Sequence, residues 1–129
     1  MKDMDLKAAD KTGAMAVASE LDGMTLSIVI PAYNEGHCIL SNLERVVGYL
    51  SSRFIHFELI VVDDGSTDDT REKVFRAARE DLRIIPVSFP INHGKGFVIR
   101  EGILRARGDA IFFTDADLST PVEEVEKAL

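Results

Sequence analysis

Two carboxylates stand one residue apart at the end of an apolar run late in the sequence. Asp115 and Asp117 follow residues 111–113, which are rich in β propensity. Because residues i and i+2 of an extended chain point to the same face, both carboxylates can aim at one point. They repel each other unless a cation lies between them, and oxygen ligands of this kind suit Mg²⁺ or Mn²⁺. The alternative for such a pair, taken alone, is a solvated turn before a helix.

The composition restricts the function classes that are open to the chain. Its 129 residues allow one domain with a sizeable core. The net charge of −7 argues against a nucleic-acid partner, which would need a basic stripe. Cys38 is the single cysteine, which excludes an internal disulfide and a zinc site made of cysteines. No apolar run is long enough for a membrane span or a signal peptide, so a cytoplasmic location is expected.

Strand and helix patterns alternate along the chain. Residues 1–24 show no sustained apolar face and predict a mobile leader, so the domain occupies residues 25–129. The patterns predict strands over 26–31, 57–62 and 83–88 and another after residue 109, with helices ending near residues 51, 80 and 107. Pro86 indicates an edge strand, and Pro121 begins a final helix. Ser66 or Thr67 is expected to cap the second helix, with Asp68 and Asp69 in its first turn.

This alternation predicts an α/β fold, a Rossmann-like and mostly parallel sheet with helices on both faces. Ligands bind such sheets beyond the carboxyl ends of the strands. Polar clusters follow three of the strands, and a loop that contains Lys95 opens a helix on the same side. Neither the G-x-G-x-x-G of dinucleotide folds nor the G-x-x-x-x-G-K-[ST] of P-loops is present, which excludes both folds.

Four segments together resemble the nucleotide-binding half of family 2 glycosyltransferases of the GT-A fold. They are IVIPAYNE at 28–35, VVDDGSTD at 61–68, NHGKG at 92–96 and TDAD at 114–117. Within that family, the residues after Gly94 and after Asp115 are most similar to dolichyl-phosphate β-glucosyltransferases. Polyprenyl-phosphate mannosyltransferases are the close second.

The resemblance implies that Pro31, Tyr33, Glu35 and Asp64 hold the nucleoside of a nucleotide-sugar. A carboxylate can accept the imide N–H of uracil, and a tyrosine offers a flat face to a base. The alternative for the turn at 63–65 is a purely structural role, and Asp63 is expected to face the turn rather than the ligand. Glu35 has two further roles open to it, which are capping the following helix and orienting a nearby cation.

Lys95 is the natural partner of the diphosphate, because flanking glycines let the backbone come close to a ligand. Its alternative is an exposed loop lysine. Arg100 has the same site open to it, or an ion pair with Glu101 or Asp109. The resemblance further implies that Asp117 ligates a bridging Mg²⁺ or Mn²⁺ and that Asp115 lies against the sugar or ribose, next to the metal. Some polyprenyl-phosphate relatives carry an amide where this chain has Ser119.

The expected function is therefore that of an inverting, metal-dependent glycosyltransferase, of which this chain is the donor-binding part. Its expected reaction moves a hexose, glucose from UDP-glucose, onto dolichyl or polyprenyl phosphate at the cytoplasmic face of a membrane. Catalytic residues and any peripheral membrane association are expected beyond Leu129, so the fragment alone should be inactive. The alternatives are a family 2 transferase that uses a sugar hydroxyl as acceptor and a non-catalytic module that binds nucleotide-sugars.

Overall fold

The computed structural model describes residues 24–53 and 56–114. Residues 1–23 of the predicted leader (1–24) and the predicted helix at Pro121 lie outside the described residues. Within them, strands and helices alternate as the sequence patterns predict. The elements are β1 (Leu26–Ala32), α1 (Ile39–Arg53), β2 (Phe57–Asp64), α2 (Thr70–Glu80), β3 (Ile84–Phe89), α3 (Lys95–Arg105) and β4 (Ala110–Phe113).

The four described strands form one sheet in the order β3-β2-β1-β4, and every pair is parallel. β1 therefore lies between β2 and β4 in the sheet, and the helices α1, α2 and α3 form the crossovers from β1 to β2, from β2 to β3 and from β3 to β4. β3 lies at an edge of the described sheet, as Pro86 predicts, because a proline cannot donate a ladder hydrogen bond. The predicted parallel α/β architecture is confirmed.

Helices cover both faces of the sheet. Alternate residues of β1 and β2 point to opposite faces, which explains why both strands are almost continuously apolar and buried. One face packs against α1 and α2, and its core contains Ile28, Ile30, Leu59, Val61, Leu43, Val46 and Val74. The other packs against α3, and its core contains Val29, Ile60, Val62 and Val98.

The start of α2 differs from the prediction. The helix begins at Thr70, and its N-cap residue is Asp69, whose own side chain makes no capping hydrogen bond. The expected cap at Ser66 or Thr67, with Asp68 in the first turn, is therefore wrong. The backbone N–H groups of Thr67 and Asp68 donate instead to the side chain of Asn34, 2.8 Å and 3.3 Å away. These contacts with another loop hold residues 66–69 outside the helix.

Candidate functional site

Three polar loops meet at the carboxyl edge of the sheet, where ligands bind in folds of this kind. The first follows β1 and contains Tyr33, Asn34 and Glu35, the second follows β2 and begins at Gly65, and the third precedes α3. The three loops thus follow β1, β2 and β3, which are adjacent strands of the sheet. Hydrogen bonds join these loops to one another.

Asn34 joins the first loop to the second. Its Oδ1 accepts hydrogen bonds from the backbone N–H groups of Thr67 and Asp68, and its own N–H donates to Ser66 Oγ over 2.9 Å. Asn34 has a φ of 53°, a left-handed conformation that asparagine tolerates better than most residues. Sequence reasoning gave this residue no role. The residue type was the available signal in the sequence, because asparagine is favoured in turns: its side chain accepts backbone hydrogen bonds, and it tolerates the left-handed conformation.

The carboxylate of Asp68 strengthens the same junction. Asp68 Oδ2 accepts the N–H of Gly36 at 3.1 Å, and Oδ1 accepts the N–H of Thr70 at 2.9 Å. The Thr70 hydroxyl donates to that Oδ1 and accepts the N–H of Glu35 at 2.8 Å. The hydrogen bond from the Thr70 hydroxyl and those from the backbone N–H groups lower the pKa of Asp68, because they favour the ionised form.

Asp63 is buried and serves the turn. Its Oδ1 accepts the N–H of Ser66 at 3.2 Å, and its Oδ2 accepts the hydroxyl of Ser88 on β3 at 2.9 Å. The expectation that Asp63 faces the turn is confirmed.

Asp64 is buried too, with 4% of its surface exposed, and it faces the third loop. Its Oδ1 accepts the N–H of His93 at 2.7 Å, and its Oδ2 accepts the N–H of Gly94 at 3.0 Å. Its carbonyl oxygen accepts the side-chain amide of Asn92 at 3.2 Å. Each carboxylate oxygen keeps a second lone pair, so these contacts leave the predicted role toward a base as a prediction.

The remaining predicted nucleoside residues surround the first loop. Tyr33 is 44% exposed at the edge of the sheet. Pro31 is half-buried within β1. Glu35 is half-buried, and its Oε1 accepts the N–H of Tyr33 at 2.6 Å, which folds the loop back on itself.

Lys95 is the first residue of α3 and is exposed. It directly follows the two residues that Asp64 holds, so it belongs to the same edge as the first two loops. Arg100 is also exposed on α3, and its two predicted ion-pair partners contact other groups. Glu101 pairs with Arg105 at 2.8 Å, and the carboxylate of Asp109 accepts the N–H of Thr25 at 2.9 Å.

The predicted metal ligands Asp115 and Asp117 lie outside the described residues. Thr114, which precedes them, is buried, and its N–H donates to the carbonyl of Val29 on β1 at 3.0 Å. Thr114 therefore lies beside the middle of β1, and β4 runs parallel to β1, toward the edge where the loops meet. Residues 24–53 and 56–114 contain no group of three His, Cys, Asp or Glu side chains that could hold a metal ion. In the same residues, no helix is long and apolar enough to cross a membrane.

The chain belongs to glycosyl transferase family 2, whose family model matches residues 27–129. A dolichyl-phosphate beta-glucosyltransferase of Trichomonas vaginalis is 38% identical over 106 residues, which are 78% of this chain and 33% of that protein. An undecaprenyl-phosphate 4-deoxy-4-formamido-L-arabinose transferase of Proteus mirabilis is 37% identical over 103 residues, which are 79% of this chain and 32% of that protein. The chain spans about a third of the length of these curated relatives.

A solved structure agrees with this assignment. It is that of glucosyl-3-phosphoglycerate synthase from Mycobacterium tuberculosis, in complex with Mn²⁺, UDP and phosphoglyceric acid. The two proteins superimpose with a TM-score of 0.61 at 29% identity, over 78% of this chain and 36% of that one. The predicted family and its GT-A fold are thus confirmed.

Proposed function

We propose that the chain is the donor-binding part of an inverting, metal-dependent glycosyltransferase. Its donor in this proposal is UDP-glucose, and its acceptor is dolichyl phosphate or another polyprenyl phosphate. The observation that carries the proposal is the meeting of three hydrogen-bonded loops at the carboxyl edge of a parallel sheet, in a chain of this family. Such an edge offers exposed side chains to a ligand while its backbone is held in place.

The nucleoside binds in this proposal along the first loop and the end of β2. Tyr33, exposed at the edge, stacks on the uracil ring. Asp64 accepts the imide N–H of the base through a lone pair that the third loop does not use. Pro31, near the end of β1, and Glu35, in the loop that follows β1, shape the floor of this subsite.

The diphosphate binds Lys95, at the start of α3. Asp117, with Asp115 beside it, holds Mg²⁺ or Mn²⁺, because two carboxylates one residue apart are an oxygen donor set that suits these ions. When bound, the metal would neutralise charge on the leaving nucleoside diphosphate. Support for this part comes from β4, which runs parallel to β1 and ends at Phe113, just before Thr114 and the two aspartates in the sequence. A solved relative is also known in complex with Mn²⁺ and UDP.

The proposed acceptor is dolichyl phosphate or another polyprenyl phosphate. Its support is that both relatives described above are named as transferases that act with lipid-linked phosphates, one dolichyl and one undecaprenyl. A phosphate oxygen is already a nucleophile at neutral pH, so such an acceptor asks little of a general base. The same proposal puts the enzyme at the cytoplasmic face of a membrane, where a polyprenyl phosphate is accessible.

Calorimetric titration tests the donor part of the proposal. UDP and GDP are titrated into the chain with and without Mn²⁺. We expect UDP to bind more tightly than GDP and more tightly with Mn²⁺, and we expect Asp117→Asn to remove most of the gain from the metal. Glu44→Gln, which removes an exposed carboxylate from α1, is the matched control and should keep the gain. An affinity for UDP that Mn²⁺ leaves unchanged would contradict the metal site.

The acceptor is tested separately, with protein that carries this chain and with UDP-[¹⁴C]glucose as donor. Transfer of label to dolichyl or undecaprenyl phosphate supports the proposal. Transfer to a sugar hydroxyl, with none to either lipid phosphate, would contradict the acceptor while leaving the donor site intact.

A further inference from the structure

The buried carboxylate of Asp64 has a second task that its predicted contact with a base does not require. Its two oxygens accept the backbone N–H groups of His93 and Gly94, at 2.7 Å and 3.0 Å. Its carbonyl oxygen accepts the amide of Asn92 at 3.2 Å. Three consecutive residues of the third loop are therefore fixed to a single residue of β2.

The neighbour of Asp64 brings the two segments into backbone contact. Gly65 has a φ of 71°, and a Cβ built on it would lie 2.5 Å from the backbone nitrogen of Asn92. Only a glycine at this position lets the third loop lie directly on the end of β2. On its other side the loop is supported by His93, whose ring stacks on that of Phe97 with centroids 4.3 Å apart.

The residue after this fixed segment is Lys95. Gly94 is the N-cap residue of α3, and its φ of 98° turns the chain into the helix. Its carbonyl accepts the N–H of Val98 at 3.2 Å, so the helix starts from a residue whose N–H Asp64 holds. A shift of this residue would move the backbone of Lys95 with it.

We propose that Asp64 is a positioning residue for the diphosphate: it fixes residues 92–94 and thereby places Lys95 at the carboxyl edge of the sheet. The inference rests on the proposed function, since it takes UDP to be the ligand and Lys95 to be its diphosphate partner. It adds to that function a physical link between the nucleoside end and the diphosphate end of the donor site. One carboxylate then serves both ends of the ligand.

The link can be measured because uridine has the base and ribose of UDP without its phosphates. If Asp64 only contacts the base, Asp64→Asn weakens uridine and UDP by the same factor. If Asp64 also positions Lys95, UDP loses more. An asparagine carries one acceptor oxygen and one NH₂ group, so one of the two backbone N–H groups loses its acceptor and meets a donor. We expect the excess loss for UDP to be about tenfold, which is the usual effect of such a mismatch.

Asn92→Ala is the second variant, and it leaves the carboxylate of Asp64 in place. It removes only the hydrogen bond from the Asn92 amide to the Asp64 carbonyl, on an exposed loop residue. We expect it to weaken UDP by about threefold, the effect of one lost hydrogen bond, and to leave uridine unchanged. It therefore decides the question even if Asp64→Asn does not fold.

Asp63→Asn is the matched control. Asp63 is equally buried and adjacent in sequence, but its carboxylate contacts Ser66 and Ser88 and not the third loop. Its ratio of UDP to uridine affinity should equal that of the parent chain. In a Lys95→Ala background, Asp64→Asn should leave the ratio of UDP to uridine affinity at the value of Lys95→Ala alone, because the group being positioned is then absent.

The outcomes separate the two proposals. Equal losses of uridine and UDP in Asp64→Asn, with no effect of Asn92→Ala on UDP, would overturn the positioning role and leave the proposed function intact. A parent chain that binds neither uridine nor UDP would overturn the proposed function, and this inference with it. A larger loss for UDP than for uridine in both variants, which Lys95→Ala abolishes, supports the link.

Discussion

Replacing Asn34 by alanine should destabilise the loops at the carboxyl edge of the sheet and lower the free energy of unfolding of the chain. The side chain of Asn34 accepts hydrogen bonds from two backbone N–H groups of the second loop, at 2.8 Å and 3.3 Å. Its backbone has a φ of 53°. Alanine lacks the acceptor and disfavours the conformation, so both contributions are lost together.

The magnitude follows from these two contributions. Each lost hydrogen bond costs about 0.5–1 kcal/mol here, at the low end of the usual range because water can replace the acceptor for Thr67 and Asp68, which are exposed. The left-handed backbone costs roughly 1 kcal/mol or more for alanine. We therefore expect Asn34→Ala to lower the free energy of unfolding by about 2–3 kcal/mol, a large part of the roughly 5–15 kcal/mol that domains have.

Urea denaturation followed by circular dichroism measures this loss, with two further variants to separate its parts. Asn34→Gly tolerates the positive φ but lacks the acceptor, so it should lose about 1–2 kcal/mol. Asn34→Asp keeps both features and should lose the least, about 1 kcal/mol or less, through repulsion from nearby carboxylates. The reasoning is refuted if alanine stays within about 0.5 kcal/mol of the parent chain, or if glycine and alanine are indistinguishable.

Two other predictions concern packing and pH. Gly102→Ala should lower the melting temperature of the chain, because the added Cβ would collide with Cγ1 of Val29 where α3 lies on β1. Gly96→Ala is the control, and it should not lower the melting temperature, because a Cβ added there meets no other atom. The pKa of Asp68 is held below its ordinary value of 3.8, chiefly by the hydrogen bond from the Thr70 hydroxyl. Its ionised form therefore stabilises the folded chain above pH 3.8, and this contribution is lost as the pH falls through the lower folded pKa. Unfolding followed between pH 2 and 5 should show a shallower acid loss in Asp68→Asn, and an acid limb identical to that of the parent chain would contradict it.

The architecture was predictable because each of its elements has a local signal. The apolar residues of α1 recur at helical spacing at six positions. Positions 39, 43, 46 and 50 are buried, and positions 40 and 47 are half-buried. The continuous apolar run of β2 predicts burial on both faces, which the structure shows. These signals depend on neighbours close in sequence, so one chain is enough to interpret them.

The start of α2 was mispredicted because its local signals are ambiguous. Residues 66–70 are all serine, threonine or aspartate, and any of them is an acceptable cap. The choice is made by Asn34 and Gly36, more than 30 residues away in sequence, whose contacts hold Thr67 and Asp68 in the loop. No local rule contains that information.

The partners of Asp64 were hidden for a different reason. Its acceptors face the backbone N–H groups of His93 and Gly94, and nearly every residue has such a group. When a carboxylate binds a side chain, the sequence contains a complementary residue type that can be looked for. When it binds backbone N–H groups, the sequence contains no such residue type. The glycines at positions 65 and 94 are visible in the sequence, and both have a positive φ in the structure. A glycine indicates a turn or a close backbone contact, but it does not identify the segment that comes close.

The two adjacent aspartates at the end of β2 explain how a polar edge can be rigid and still bind a ligand. Asp63 and Asp64 are nearly inaccessible, and every one of their carboxylate oxygens accepts a hydrogen bond from a group of the chain itself. A buried charge is costly unless it is satisfied in this way, so these contacts resist distortion. Tyr33 and Lys95, by contrast, are exposed on the loops that the aspartates and Asn34 hold. Buried, hydrogen-bonded residues thus fix the backbone, and exposed residues on it are available to the ligand. Such a site loses little conformational entropy when a ligand binds, because its backbone is already fixed.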